Sequence, residues 1–209
     1  MENLHSFRKN YTKNQLNEAD IHSKPLQQFK VWFQEAVNDA SFEANAMVLS
    51  TVGKEGMPSS RVVLLKEIID EGFIFYTNYK SKKAKDLAYN NKASILFFWE
   101  KFERQIRIEG EIEKISEQKS INYFNSRPKA SQIGAVISMQ SEEVSSRKIL
   151  EEKFEKYNEN QEIEKPKDWG GYILKANKYE FWQGRANRIH DRIVYQQEKN
   201  SWNIKRLNP

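Results

Sequence analysis

The sequence predicts an α+β fold built on a mainly antiparallel sheet, curled or closed into a barrel. Three observations carry this. Strand-like segments follow one another at hairpin-length spacing, as antiparallel pairing allows and parallel pairing does not. Segments of helical period are inserted among the strands instead of alternating with them, which disfavours a doubly wound parallel sheet. Finally, 12 Phe, 9 Tyr and 5 Trp in 209 residues compensate for a hydrophobic share of only 38%, because each aromatic ring buries a large area.

Residues 1–22 are polar and aperiodic and read as an N-terminal arm, ordered only where something holds it. Residues 23–209 are a suitable length for one domain. Ser23-Lys24-Pro25 opens a helix, with Ser23 as the cap and Pro25 in the first turn. Leu26, Phe29, Phe33, Ala36 and Val37 give it one apolar face, and it ends between residues 38 and 41. Ala46–Val52 is a strand, residues 53–56 (GKEG) a hairpin turn, and Ser60–Ile69 a second strand. Residues 70–72 turn again into a third strand, Phe73–Thr77. Ser81 caps a short helix reaching about Asn90. Ala93–Glu100 is apolar enough to predict burial on both faces. Arg104–Ile115 alternates, with Ile106, Ile108 and Ile112 opposite Arg107, Glu109, Glu111 and Glu113.

Ser116–Arg127 is a helix stopped by Pro128, and Lys129–Ser138 is another. A third, from Ser145 to about Tyr157, carries Ile149, Leu150, Phe154 and Tyr157 at helical spacing. A charged loop at 158–168 precedes four closing strands, Gly171–Ala176, Tyr179–Gln183, Arg188–Glu198 and Ser201–Leu207. Lys199-Asn200 turns the last hairpin, for seven or eight strands in all.

Composition excludes much chemistry. With no Cys there are no disulfides, thiolate metal sites or Cys nucleophiles, which suits a reducing cytoplasm. The N-terminus lacks an apolar signal core, and no apolar run approaches the ~18–20 residues of a membrane span. Phosphate-binding glycine motifs and the nucleophile elbow are absent. The three His, at 5, 22 and 190, lack metal-ligand spacing, so no metal is expected and redox chemistry would need an organic cofactor. A net charge of +5 fits an anionic partner, nucleic acid or a phosphorylated small molecule. The cations occur singly or in pairs at the ends of separate elements and form no stripe, which favours the small molecule and disfavours nucleic acid.

Four constellations stand out. In residues 182–192 (WQGRANRIHDR), an extended backbone would put Arg188, His190 and Arg192 on one face and Ile189 and Ile193 towards the core. Like-charge repulsion would then depress the His190 pKa and keep the ring neutral, able to accept or relay a proton. In residues 60–66 (SRVVLLK), Arg61 and Lys66 are ~17 Å apart at strand rise and on opposite faces of a regular strand, so a shared site requires a bulge or strong twist. Tyr123, Arg127 and Ser131, spaced by four, make a polar stripe suited to phosphate, interrupted at Pro128. Lys82 and Lys83 sit at a helix start, where the dipole disfavours them unless an anion is also present.

These segments, with residues 75–78 (FYTN), 104–110 (RQIRIEG), 123–128 (YFNSRP), 131–135 (SQIGA) and 140–141 (QS), together resemble the pyridoxine/pyridoxamine 5'-phosphate oxidase family from about Arg8 to Pro209. The resemblance implies a homodimer of split β-barrels with FMN at the subunit interface. It implies oxidation of pyridoxamine or pyridoxine 5'-phosphate by O2, with hydride passing to flavin N5. The products are pyridoxal 5'-phosphate and H2O2, with ammonia from the amine, as the last step of vitamin B6 cofactor synthesis. By motif position, FMN contacts fall to Arg61, Val62, Val63, Leu64, Leu65, Lys66, Tyr76, Thr77, Lys82 and Lys83, and to Gln105, Gln140, Ser141, Trp182 and Arg192, some from the partner subunit. Lys66, Tyr123, Arg127 and Ser131 would hold the substrate phosphate. Arg188 and His190, with Ile189 between them, would sit over the reacting carbon, and Arg8, Lys9, Asn10 and Tyr11 would cover the site. The family often has Arg at the position of Lys82 and an acid at that of Asn10.

Overall fold

The structure, a computed structural model, describes residues 3–157, 161–199 and 201–209. Its strands are β1 (Ala46–Val52), β2 (Pro58–Leu64), β3 (Glu67–Ile69), β4 (Gly72–Asn78), β5 (Lys92–Trp99), β6 (Arg104–Lys114), β7 (Trp169–Gln183), β8 (Asp191–Glu198) and β9 (Ser201–Arg206). The helices are α1 (Pro25–Val37), α2 (Lys82–Tyr89), α3 (Glu117–Ser126), α4 (Lys129–Ile137) and α5 (Arg147–Glu155). The strands form one sheet in the order β2-β1-β5-β6-β7-β4-β3, with β8 added to β7 and β9 to β8. The pairings β3–β4, β4–β7, β7–β8 and β8–β9 are antiparallel. The two end strands of the path, β2 and β3, are joined through Leu65 and Lys66 alone, so the sheet is an open curl with its seam there, the topology of a split barrel.

The chain resolves into two compact units. One holds the N-terminal part to Leu49, Ser94–Gly110 and Ala176–Pro209. Its core is aromatic: Phe29, Phe97, Trp99, Phe181 and Tyr195 are all but inaccessible. Helix α1 covers it, with Phe29 5.2 Å from Phe97 and Trp32 edge-on to Phe181 at 5.3 Å. The arm is tied down here. The Leu16 side chain is buried, its N–H donates to Asp191, and Arg206 grips Glu18. The second unit lies within Ser50–Ala93 and Glu111–Lys175. Here Phe124, Ile133, Ile163 and Trp169 form a core against which Tyr76, Tyr123 and Tyr157 pack.

Several expectations shift. The cap of α1 falls on Lys24, without a side-chain hydrogen bond, so the helix starts on Pro25 and not on a Ser23 cap. Its buried face runs through Gln28, Phe29, Trp32 and Ala36 and leaves Val37 exposed. Strand β5 alternates instead of being buried on both faces: Ile95, Phe97 and Trp99 are inside and Phe98 is 52% exposed. Segments 171–176 and 179–183 are one strand, β7, and the expected strand 60–69 breaks into β2 and β3. Strand β8 begins at Asp191 rather than Arg188, because Ala186–Arg188 forms a tight turn with Asn187 and Arg188 at φ 56° and 63°. Residues 158–160 of the charged loop and Asn200 of the last turn lie outside the described residues.

Candidate active site

The second unit contains a cavity of about 800 Å³. One wall is β2, from which Arg61, Val62, Val63 and Leu64 line the space, with Lys66 just past its end. The break at the seam resolves the Arg61–Lys66 problem. In β3 the chain turns to pair with β4, the Lys66 N–H donates to Ile74 O, and both cations reach one cavity. Leu65 turns the other way, into the core.

Another wall is aromatic. Tyr76 stacks on Tyr123 at 3.9 Å and on Trp169 at 5.4 Å, with the rings nearly parallel. Burial pushes the Tyr76 phenol up to about 12 and also raises Tyr123, so both stay protonated donors. Tyr123 ends α3, Arg127 caps it, and Ser131 lies in the first turn of α4, so the stripe spans the Pro128 break and still faces one cavity. The Arg127 guanidinium stands 4.8 Å over the Trp169 ring, and its Nη1 is buried with no hydrogen-bond partner among the described residues. A buried, unpaired guanidinium nitrogen is costly unless an anion completes it.

Lys83 is buried and donates to Gln140 Oε1 (2.7 Å), Thr77 Oγ1 (3.1 Å) and Ser81 Oγ (3.4 Å), all neutral oxygens. Burial, with Arg61 nearby, pushes its ammonium down to about 8. Lys82 has a partner of its own, Asp86 one turn on, which offsets the unfavourable helix dipole. Asp86 also accepts from Thr51, and Thr51 accepts from Arg61. Gln140 and Ser141 line the cavity from the turn after α4, Ser141 at φ 76°. An ammonium with neutral partners and a guanidinium lacking one fit a phosphorylated ligand.

The first unit contains a separate cleft of about 540 Å³, lined by Phe7, Arg8, Lys9, Asn10 and Tyr11 of the arm and by Arg185, Asn187, Arg188 and His190. Tyr11 packs over Gly184, where a Cβ would stand 2.7 Å from its ring. The same ring lies 5.7 Å from Trp182 and 5.8 Å from His190. The expected shared strand face does not form. Arg188 is in the left-handed turn, Ile189 is 68% exposed instead of pointing inward, and Arg192 pairs in β8 with buried Glu180 at 2.9 Å. Arg188 and His190 still meet, through the turn. The His190 pKa is lowered as expected, but burial is the main cause and Arg188 the second, with Asp191 opposing. The Arg185 N–H donates to His190 Nδ1 at 3.1 Å, which puts the neutral ring's proton on Nε2 and makes that nitrogen the donor.

Of the residues that the resemblance assigns to FMN, Gln105, Trp182 and Arg192 belong to this first unit and the others to the second. The wall residue Trp169 and the cleft residue Arg185 carried no assignment. Arg185 was within the quoted motif, whereas Trp169 had no local signal. Among the described residues, no cluster of His, Asp or Glu could hold a metal, and no helix is long and apolar enough to cross a membrane.

Residues 33–161 match the family model for pyridoxamine 5'-phosphate oxidase. The chain belongs to the pyridoxamine 5'-phosphate oxidase family. Residues 169–209 match the pyridoxine 5'-phosphate oxidase C-terminal dimerisation region. The pyridoxine/pyridoxamine 5'-phosphate oxidase of Aliarcobacter butzleri is 49% identical over 210 residues, 99% of both chains. That of Leptospira biflexa is 49% identical over 212 residues, the full length of both. Among solved structures, PhzG from Burkholderia lata in complex with tetrahydrophenazine-1-carboxylic acid superposes with a TM-score of 0.85 at 29% identity, covering 91% of this chain and 95% of that one. A pyridoxamine 5'-phosphate oxidase-related, FMN binding protein from Nostoc punctiforme shares the fold, with a TM-score of 0.75 at 16% identity over 90% of this chain and all of that one. The family's members thus run the whole length of this chain, arm included.

Proposed function

We propose that the protein is an FMN-dependent oxidase that converts pyridoxamine 5'-phosphate and pyridoxine 5'-phosphate to pyridoxal 5'-phosphate in the cytoplasm, as a homodimer with FMN at the interface. O2 becomes H2O2, and the amine substrate also consumes water and releases ammonia. The observation that carries this reading is Arg127, whose buried Nη1 lacks a partner in the same cavity as Lys66, Tyr123 and Ser131. These four bind the substrate phosphate, Arg127 with charge and geometry together. Arg61, Thr77, Lys82, Lys83 and Gln140 hold FMN, assisted by Ser141, Tyr76 and the β2 backbone. Gln105, Trp182 and Arg192 complete that set. The chemistry supplied by FMN when bound is two-electron acceptance, with O2 restoring the oxidised cofactor. Arg188 and the Nε2–H of His190 orient the substrate over the reacting carbon, and Arg8, Lys9, Asn10 and Tyr11 exclude water above it.

The test is peroxide formation by FMN-loaded enzyme from pyridoxine 5'-phosphate and from unphosphorylated pyridoxine. Turnover should require the phosphate. Arg127→Ala should raise KM about 10- to 100-fold, from the ~1.5–3 kcal/mol of a hydrogen bond to a charged group. Its melting temperature should hold, since the lost nitrogen had no protein partner. No peroxide from the loaded enzyme, or equal use of both compounds, contradicts the assignment.

A further inference from the structure

Glu103 lies outside both cavities and takes part in none of the roles above, yet its placement is demanding. It adopts a left-handed conformation, φ 55° and ψ 39°, which a side chain such as Glu occupies only when surrounding contacts hold it there. The residue is 2% exposed. Its carboxylate Oε2 accepts the backbone N–H groups of Thr12 (2.9 Å) and Lys13 (3.0 Å), the two residues after Tyr11. Its carbonyl accepts the N–H of Gly184 (2.7 Å) and the side-chain amide of Gln183 (3.2 Å). One buried residue therefore grips the arm with its side chain and the Trp182–Gly184 strand end with its backbone. Between these two grips Tyr11 rests on Gly184 and meets Trp182 and His190. The neighbours of Glu103 add to the dock: Glu100 pairs with Lys9 at 3.3 Å, and the Lys101 carbonyl accepts from the Lys13 ammonium.

We infer that Glu103 is a positioning residue, a latch that fixes the N-terminal arm so that Tyr11 closes on His190 and Trp182. A carboxylate suits this role because two converging N–H donors favour the charged acceptor. The latch acts on substrate retention, since it touches no cleft-lining atom itself. That consequence rests on the oxidase reading, whereas the latching of the arm does not.

The test uses full-length, FMN-loaded enzyme and two readouts. Glu103→Ala should raise KM for pyridoxine 5'-phosphate about tenfold with kcat changed less than about twofold, matching the loss of roughly one charge-assisted hydrogen bond. It should also speed trypsin cleavage after Lys13 by about tenfold, a readout that needs no turnover. Glu103→Gln keeps an acceptor oxygen and should restore much of both. Thr12→Pro removes an arm donor while leaving the buried residue intact, and should reproduce both effects even if Glu103→Ala does not fold. In a Tyr11→Ala background, Glu103→Ala should add nothing further to KM. The latch is overturned if Thr12→Pro leaves trypsin cleavage unchanged, or if Glu103→Ala raises KM equally with and without Tyr11. Wild-type enzyme that turns nothing over, but whose arm is released by Thr12→Pro, would retain the latch and sink the oxidase reading instead.

Discussion

Arg188 and His190 are the residues whose surroundings define them most sharply. Arg188 is exposed and held in a left-handed conformation that costs of order 1 kcal/mol. Replacing it removes a cation from the cleft without removing core packing. Arg188→Ala should therefore lower kcat/KM at least tenfold and leave the melting temperature within about 2 °C; a variant that unfolds would show Arg188 to be structural. For His190, the folded pKa lies below its ordinary 6.5. As pH falls through 6.5 the unfolded chain takes up a proton before the folded one does, so stability is full above that value and declines towards the depressed folded pKa. Thermal melts of wild type and His190→Gln across this window check the sign: the variant should lack that part of the slope. The sequence placed these two residues side by side but not their geometry. Alternation along a strand was the wrong rule, because Asn187 and Arg188 turn left-handed, and of the two only Asn carries any propensity for it.

At the scale of elements, the β2–β3 seam and the α3–α4 break do the assembling. Both were legible, because each rests on a local rule. A regular strand could not bring Arg61 and Lys66 to one site, and Pro128 could not continue a helix. Trp169, the third ring of the stacked wall, was not legible. Its place depends on β7 pairing with β4, a contact about 90 residues distant in sequence. The start of α2 yields a pH prediction. Lys83, with its ammonium down to about 8 instead of 10.5, loses its proton in the folded protein as pH rises through 8. Folding stability then rises between about 8 and 10.5, as the unfolded chain alone keeps the proton, while attraction for a phosphate falls. FMN affinity, followed by fluorescence titration, should weaken above pH 8, and Lys83→Met should bind more weakly at pH 7 but lose that pH dependence. Unchanged pH dependence in the variant would remove Lys83 from the anion site.

For the whole molecule, the α+β antiparallel class followed from hairpin spacing and aromatic content, and the structure adds the order of strands and the curl that brings the path's ends together at Leu65–Lys66. The arm could be read only as polar. That Leu16, Glu18 and the amides of Thr12 and Lys13 would anchor it depends on partners at Asp191, Arg206 and Glu103, which no local pattern reveals. The two ligand-facing surfaces, one rich in phosphate-binding cations and one closed by the arm, are each coherent within their unit and together contain what the oxidase reaction needs. The most direct test of that claim is the visible absorption spectrum of the FMN-loaded protein before and after adding pyridoxine 5'-phosphate in the absence of oxygen. The flavin band should bleach on addition and return when O2 is admitted; a spectrum that stays unchanged with saturating substrate would contradict the account.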